Sequence, residues 1–350
     1  MNINEALIFF GFIIFILSIL VIDLDFFSKN SHIVPFKEAI SWTAIWVALA
    51  VLFYFLIMFF GDRIHGIHNM DQLKAIILLH GHPIKLTNET FEQALVIYRH
   101  NLSLEYITGY LIEYALSVDN VFVMIMIFLA FNVEERYYKR VLLWGILGAI
   151  IMRFLFIFLS AALIQRYAWF LYVFGVLLVV TGIKMFLERN KEDKIETAKH
   201  PIVRLASKVF PVYPNYVGKS FYIRKNGKYL ITPLFITLLV IEFTDVVFAV
   251  DSVPAIFSIT QDPYIVFFSN IFAILGLRSL FFVVMHVVNL FRFLKIGLAV
   301  LLTFIGLKML LHTYLDAWGF TTSYSLLVVL GILITSILAS VLIPEKKEEA

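Results

Sequence analysis

The chain contains no cysteine, which excludes disulfides, thiolate metal sites and a cysteine nucleophile. Charge is also scarce: Asp, Glu, Lys and Arg make up 15% of the 350 residues, against about 25% in a soluble domain. With 61% hydrophobic residues and a mean hydropathy of +0.91, a water-soluble globular fold is excluded. The chain lacks a Gly-x-x-x-x-Gly-Lys-Ser/Thr phosphate loop and an aspartyl-phosphate domain, so a transport activity would draw on an ion or proton gradient. It also lacks the period-two alternation of an outer-membrane barrel. A net charge of +3 is too small to suggest a nucleic-acid partner.

What the sequence does contain is long apolar runs. Charges fall in bursts, such as Glu134 to Arg140 and Lys191 to Lys228, leaving runs of about 18 to 25 residues that as helices would cross a ~30 Å hydrocarbon core. The expected fold is an all-α polytopic membrane protein with nine transmembrane helices, at residues 6–22, 39–60, 106–130, 140–163, 167–187, 231–258, 264–288, 295–312 and 324–343. Glu5 before the first span and Asp23 and Asp25 after it give the wrong charge order for a cleaved signal peptide. One set of loops, with the carboxyl-terminal tail, carries 19 Lys and Arg; the opposite set carries 5. Basic loops stay cytoplasmic, which predicts the amino terminus outside and the carboxyl terminus inside.

Along the chain this gives two peripheral amino-terminal spans in residues 1–60, then an outer loop over 61–105 that holds five of the nine histidines, His65, His68, His80, His82 and His100. Residues 106–188 form a first three-span unit and 189–230 a basic cytoplasmic loop. Residues 231–313 form a second unit and 314–350 the last span and tail. A histidine cluster can catch a metal, but no carboxylate pattern sharpens this spacing, so the expected role of 61–105 is a solvated loop on the membrane surface, with an amphipathic stretch from Asp71 to Leu79. In the cytoplasmic loop, Asn226-Gly227 between apolar runs predicts a small hairpin at the entrance to span 6.

The two units repeat one another. Glu113-Tyr-Ala-Leu-Ser-Val-Asp119-Asn120 aligns with Asp245-Val-Val-Phe-Ala-Val-Asp251-Ser252, Arg153 with Arg278, and Gly182-Ile-Lys184-Met with Gly306-Leu-Lys308-Met. Spans 3–5 thus recur as spans 6–8. Three is odd, so the copies enter the membrane from opposite sides, an inverted repeat of the kind found in secondary transporters, with substrate held at the midplane.

Charges deep in a span cost about 2.5 to 3.5 kcal/mol each and mark pathways or sites. The candidate metal ligands are Glu113, Asp119, Asn120, Glu242, Asp245, Asp251 and Ser252, since a hard cation needs several converging oxygens. Arg153, Lys184, Arg278 and Lys308 are candidates for structural or gating ion pairs. Glu113 and Asp119 are six residues apart, about 240° around a helix, and cannot grip one ion from a regular helix. A break is therefore expected, with Pro254 as its cause in span 6. Oxygen ligands favour Mn²⁺, Mg²⁺ or Ca²⁺ over Zn²⁺ or Cu, and carboxylates left by a metal would take up protons.

At these residues the chain resembles the TerC family of integral membrane proteins, within the wider LysE-like and cation-exporting group. The resemblance rests on residues 113–120 (EYALSVDN), 241–255 (IEFTDVVFAVDSVPA), Arg153, Arg278 and the two Gly-x-Lys-Met motifs. It implies a multi-pass protein of the inner (plasma) membrane linked to manganese efflux, to alkaline-pH responses and to tellurite resistance. Manganese as the exported ion comes from this resemblance, with no permanently bound cofactor. The expected function is a secondary exporter of a divalent metal ion, with protons and the lipid bilayer as its other partners. The alternative is a non-transporting factor for membrane-protein assembly or tellurite and metal stress. An enzyme is not expected, because no nucleophile and base stand out.

Overall fold

A computed structural model describes residues 3–28, 34–167, 169–188, 201–225, 227–287, 293–318 and 320–342. Each of the nine apolar runs is helical: α1 (Ile3–Ser28), α2 (Phe36–Phe60), α5 (Phe91–Ala130), α6 (Glu135–Arg166), α7 (Phe170–Leu187), α9 (Pro233–Phe257), α10 (Pro263–Val287), α11 (Leu294–Leu310) and α13 (Thr322–Leu342). Shorter helices α3 (Asp62–His65), α4 (Met70–Leu79), α8 (Pro201–Val209) and α12 (His312–Ala317) lie between them. Among the described residues seven helices are long and apolar enough to cross a membrane, two fewer than the nine expected; the apolar stretches Glu5–Ile19 and Ile296–Leu310 are shorter.

The bundle is organised around α10, in which every residue from Pro263 to Phe282 is buried. A helix apolar all round belongs at the centre of a bundle, and α10 packs against α5, α2 and α6. Outward-facing apolar side chains such as Phe10, Leu52, Phe55, Ile151, Leu155 and Val180 are exposed. An apolar belt of this size suits lipid, where it has no free-energy cost. Between α7 and α11 the contact is backbone-close: a Cβ added at Gly175 would lie 3.1 Å from the Gly306 carbonyl oxygen, and one added at Gly182 would lie 2.8 Å from that of Ala299. Small residues at such positions let dispersion act between helices that lipid cannot drive together.

Span 3 begins 15 residues earlier than expected, at Phe91 instead of 106. Thr90 and Gln93 form a capping box there, and the helix runs on through polar residues such as Asn101 and Glu105 that lower hydropathy without breaking the backbone. At its far end Asn132, at φ 51°, takes the left-handed position of a helix-terminating turn, with Val133 N–H donating to the Phe128 carbonyl at 3.0 Å. The expected break is absent. Both α5 and α9 are continuous; Pro254 lies three residues from the end of α9 and, lacking an N–H, leaves the Val250 carbonyl without its helical donor while the helix runs on to Phe257.

The hairpin forms as expected. Strands β1 (Tyr222–Lys225) and β2 (Lys228–Ile231) pair antiparallel, with Gly227 at φ 75° in the turn and Asn226 outside the described residues. It leads directly into α9, where Thr232 donates from Oγ1 to the Ser220 carbonyl at 2.7 Å and Pro233 takes the first helical position. This end of the bundle also holds the start of α2 and the α5–α6 turn: Lys139 lies 3.9 Å from Glu38, and Tyr216 donates to the Phe131 carbonyl at 2.6 Å. The opposite end gathers Glu5, residues 61–90 and the α9–α10 turn through contacts of His65 with Glu5 and Asp262. The basic residues of 189–200, with Arg292, Lys346 and Lys347, lie outside the described residues.

Candidate functional site

Four helices bring polar side chains to one buried point. Arg153 of α6, 1% exposed, donates from Nη1 to Glu113 of α5 at 2.5 Å and to the Ser252 hydroxyl of α9 at 2.9 Å. Its Nη2 and Nε reach the two carboxylate oxygens of Asp245 at 3.3 and 3.4 Å. The second oxygen of Glu113 accepts from Asn270 of α10 at 3.1 Å. Helical spacing explains the convergence: Asp245 and Ser252 are seven residues, two turns, apart, so both face α6. One guanidinium thus uses its planar fork on two carboxylates and a hydroxyl, which a lysine could not reproduce.

The same geometry sends Asp251 elsewhere. Six residues from Asp245, it points about 240° away and accepts from Thr181 of α7 at 3.1 Å, half-buried. Glu242, one turn before Asp245, lies over Gly148 of α6, where even a Cβ would collide with its carboxylate. Glu242, Asp245 and Arg278 line a cavity of about 20 Å³, room for about one water. Asn120 is buried on α5. Asp119 is helical; its side chain lies outside the described residues. Lys184 is exposed on α7, whereas Lys308 of α11 donates to the Ser258 carbonyl at 2.8 Å.

Of the seven expected ligands, then, Glu113, Asp245 and Ser252 come together, and they come together on Arg153. Asn270 and Thr181 were not among the expected residues. A lone amide in the buried stretch of α10 was a signal that could have found Asn270; Thr181, beside the Gly182-Ile-Lys184 motif, carried none of its own.

The outer histidines depart further from expectation. His65, His80 and His82 are buried, while His68 and His100 are exposed; this part of residues 61–105 folds into the bundle end and is not a solvated surface loop. Burial opposes charge on His65, but Asp262 at 2.8 Å and Glu5 at 3.1 Å outweigh it and raise its pKa to about 9. Burial likewise disfavours the Asp262 carboxylate, yet the His65 imidazole beside it holds it well below the usual range. Burial lowers the pKa of His80; on His82 burial is overcome by Glu105, 2.9 Å away, and the pKa rises. Of the carboxylates that give this cluster its form, Glu5 and Asp262 lie outside residues 61–105, and Glu105, at the end of that segment, is 23 residues from His82, so histidine spacing alone could not reveal them.

Residues 98–348 match the TerC integral membrane protein family. The chain belongs to the TerC family. Its relatives align over nearly their whole length. An uncharacterized membrane protein of Myxococcus xanthus is 41% identical over 95% of this chain and 91% of its own. A protein of Escherichia coli strain K12 named as a membrane-bound redox modulator, Alx, is 38% identical over 95% and 94%. A membrane protein of Rickettsia felis is 38% identical over 93% and 95%. No solved structure matches. As a TerC protein the chain is a multi-pass integral membrane protein.

Proposed function

We propose that this TerC protein is a secondary transporter that exports a hard divalent cation, Mn²⁺ in particular, in exchange for protons across the inner membrane. The observation that carries the reading is α9, which within ten residues presents Glu242 and Asp245 toward α6 and Asp251 toward α7. Arg153 is already paired with Glu113 and Asp245. Asp251 instead accepts from a hydroxyl and feels Lys184, an exposed base, without a direct ion pair to Arg153, so this carboxylate is suited to exchange a proton or a mobile cation. Asp119, its counterpart in the other copy, would supply the facing ligand near the midplane, with Asn120 and Ser252 as neutral oxygens. The resemblance supplies manganese; the oxygen chemistry alone supports a hard ion.

The reading includes nine crossings, α1 and α11 among them, with the amino terminus outside and the carboxyl terminus inside. It also includes the inverted repeat, which helix packing supports. The two copies are offset by 124 residues at their Gly-x-Lys-Met motifs. Gly182 packs on Ala299 and Thr303, and Gly306 packs on Gly175 and Val179. Subtracting the offset turns the first set of contacts into the second, as a two-fold axis between α7 and α11 requires. The two proposed site halves would then move against each other about this axis.

A second reading, a non-transporting factor for membrane assembly or metal stress, is favoured by Arg153 itself, because a fixed guanidinium stands where a cation would bind. If the redox naming of its relatives extends to this chain, thiol exchange is not the route, since no cysteine is present. An enzymatic role is not proposed. Purified protein in liposomes decides between the readings: Mn²⁺ flux that responds to a pH gradient is expected, lost at least about tenfold in Asp251→Asn with insertion unchanged. Normal flux in Asp251→Asn, or none in the unmodified protein, would turn the conclusion to the assembly factor. A reporter fused after Ala350 should read cytoplasmic.

A further inference from the structure

We propose a second metal site at the outer end of the bundle, one for a borderline divalent transition-metal ion of the Zn²⁺ type, held by His65, His80 and Asp262 with His82 beside them. It stands independently of the transport reading. His65, His80 and Asp262 are all buried, and each offers one ligand atom within 4.8 Å of the others. The imidazoles form a row, with ring centres 5.1 Å apart from His65 to His80 and 5.9 Å from His80 to His82. Imidazole with carboxylate is the donor set of Zn²⁺ and its neighbours, unlike the all-oxygen set around α9.

Three features separate this arrangement from an ordinary buried ion pair. An ion pair needs one histidine, whereas here three are packed together, and His80 Nδ1 and His82 Nε2 are buried without a hydrogen-bond partner. A buried polar atom without a partner is destabilising, and both rings are 5% exposed. Two of the rings are also oriented from behind. Glu5 meets Nδ1 of His65 at 3.1 Å, and Glu105 meets Nδ1 of His82 at 2.9 and 3.0 Å while accepting from Asn101 at 2.6 Å. A carboxylate on one ring nitrogen fixes the tautomer and leaves the other nitrogen for a metal. Asp262 is fixed too: its Oδ1 accepts from the Tyr264 N–H at 2.9 Å, leaving Oδ2 toward His65 Nε2.

The backbone places these rings by a repeated device. Helix α3 ends on Gly66 at φ 62° directly after His65, and α4 ends on Gly81 at φ 61° between His80 and His82. In both turns the residue after the glycine donates back five residues, Ile67 to Asp62 and His82 to Ile77. Glycine takes that conformation at the least cost, so the turns hold the imidazoles where the α9–α10 turn delivers Asp262. An entry path exists as well: His82, Gly81, Thr260 and Gln261 line an open pocket of about 800 Å³.

The test uses the full-length protein in nanodiscs, stripped of metal and then given Zn²⁺ alone or Co²⁺ alone. About one Zn²⁺ per chain should be retained through desalting, and Co²⁺ should give the visible absorption bands of a low-coordinate nitrogen and oxygen site. His80→Phe should weaken Zn²⁺ binding at least about 100-fold, and Glu105→Gln, which touches no metal, about 10- to 100-fold. Asp251→Asn should leave the Co²⁺ bands unchanged. If His80→Phe fails to fold, Glu105→Gln and the Co²⁺ spectrum of the unmodified protein still decide. Zn²⁺ retention equal in the unmodified protein and both outer variants, or Co²⁺ bands lost in Asp251→Asn alone, would overturn the proposal.

Discussion

The two buried polar clusters differ in one respect that decides what each can do. In the cluster between α5, α6, α9 and α10 a fixed cation, Arg153, meets Glu113, Asp245 and Ser252, and Asn270 covers a remaining oxygen. The outer cluster also balances charge, His65 against Asp262 and Glu5, yet leaves two imidazole nitrogens without partners. Arg153 pairs the inner carboxylates and so ties four helices together, although the amide oxygen of Asn270 lacks a partner; unpartnered imidazole nitrogens are good metal ligands, stable only at a cost that an ion can remove. The inner cluster therefore reads as a latch beside the α9 carboxylates, and the outer one as a receptor.

The largest effect expected is at the latch. Arg153→Met should destabilise the protein by about 3 to 5 kcal/mol, because it strands two buried carboxylates, and thermal unfolding in detergent should show the loss. Combining it with Glu113→Gln and Asp245→Asn should recover most of that loss. If the triple variant is as unstable as the single one, the latch is not a closed electrostatic unit and the comparison fails. Asn270→Leu removes one hydrogen bond to a charged acceptor and should cost less, about 1.5 to 3 kcal/mol, measured in the same way.

How much of this was legible in the sequence follows from the range of each signal. Apolar runs and the Asn-Gly turn are local patterns, and apart from the start of α5 the helices and strands stand close to where those patterns put them. Hydropathy failed at the start of α5 because a helix that opens on a capping box and carries Arg99 and Glu105 looks like a loop to an average over side chains. The expected break in α9 failed because proline removes one helical hydrogen bond without ending the helix, and α9 runs on past Pro254 as a stretch buried from Ser252 to Phe257. Helical periodicity correctly separated residues six apart, and Asp245 and Asp251 do face different neighbours. Which arginine meets which acid is a tertiary fact, and so is the meeting of His65 with an aspartate 197 residues away; no spacing within one segment encodes either.

The outer cluster gives the smaller predictions and the sharper contrast. In metal-free protein His82→Phe should cost about 1 to 3 kcal/mol, because Glu105, fully buried, loses the imidazole that meets both its oxygens. His80→Phe keeps a flat ring of similar size in the same slot and deletes an unpartnered nitrogen, so its unfolding temperature should stay within the shift set by about 0.5 kcal/mol. Two histidines two residues apart, both 5% exposed, would thus respond differently to one substitution, because one ring is held by a carboxylate while the other has a backbone contact at Gln261 and a bare Nδ1. Added Zn²⁺ should raise the unfolding temperature of the unmodified protein and leave that of His80→Phe in place, since a ligand stabilises only the state that binds it. Should His80→Phe prove as costly as His82→Phe without metal, His80 is a structural histidine, and the contrast between latch and receptor disappears.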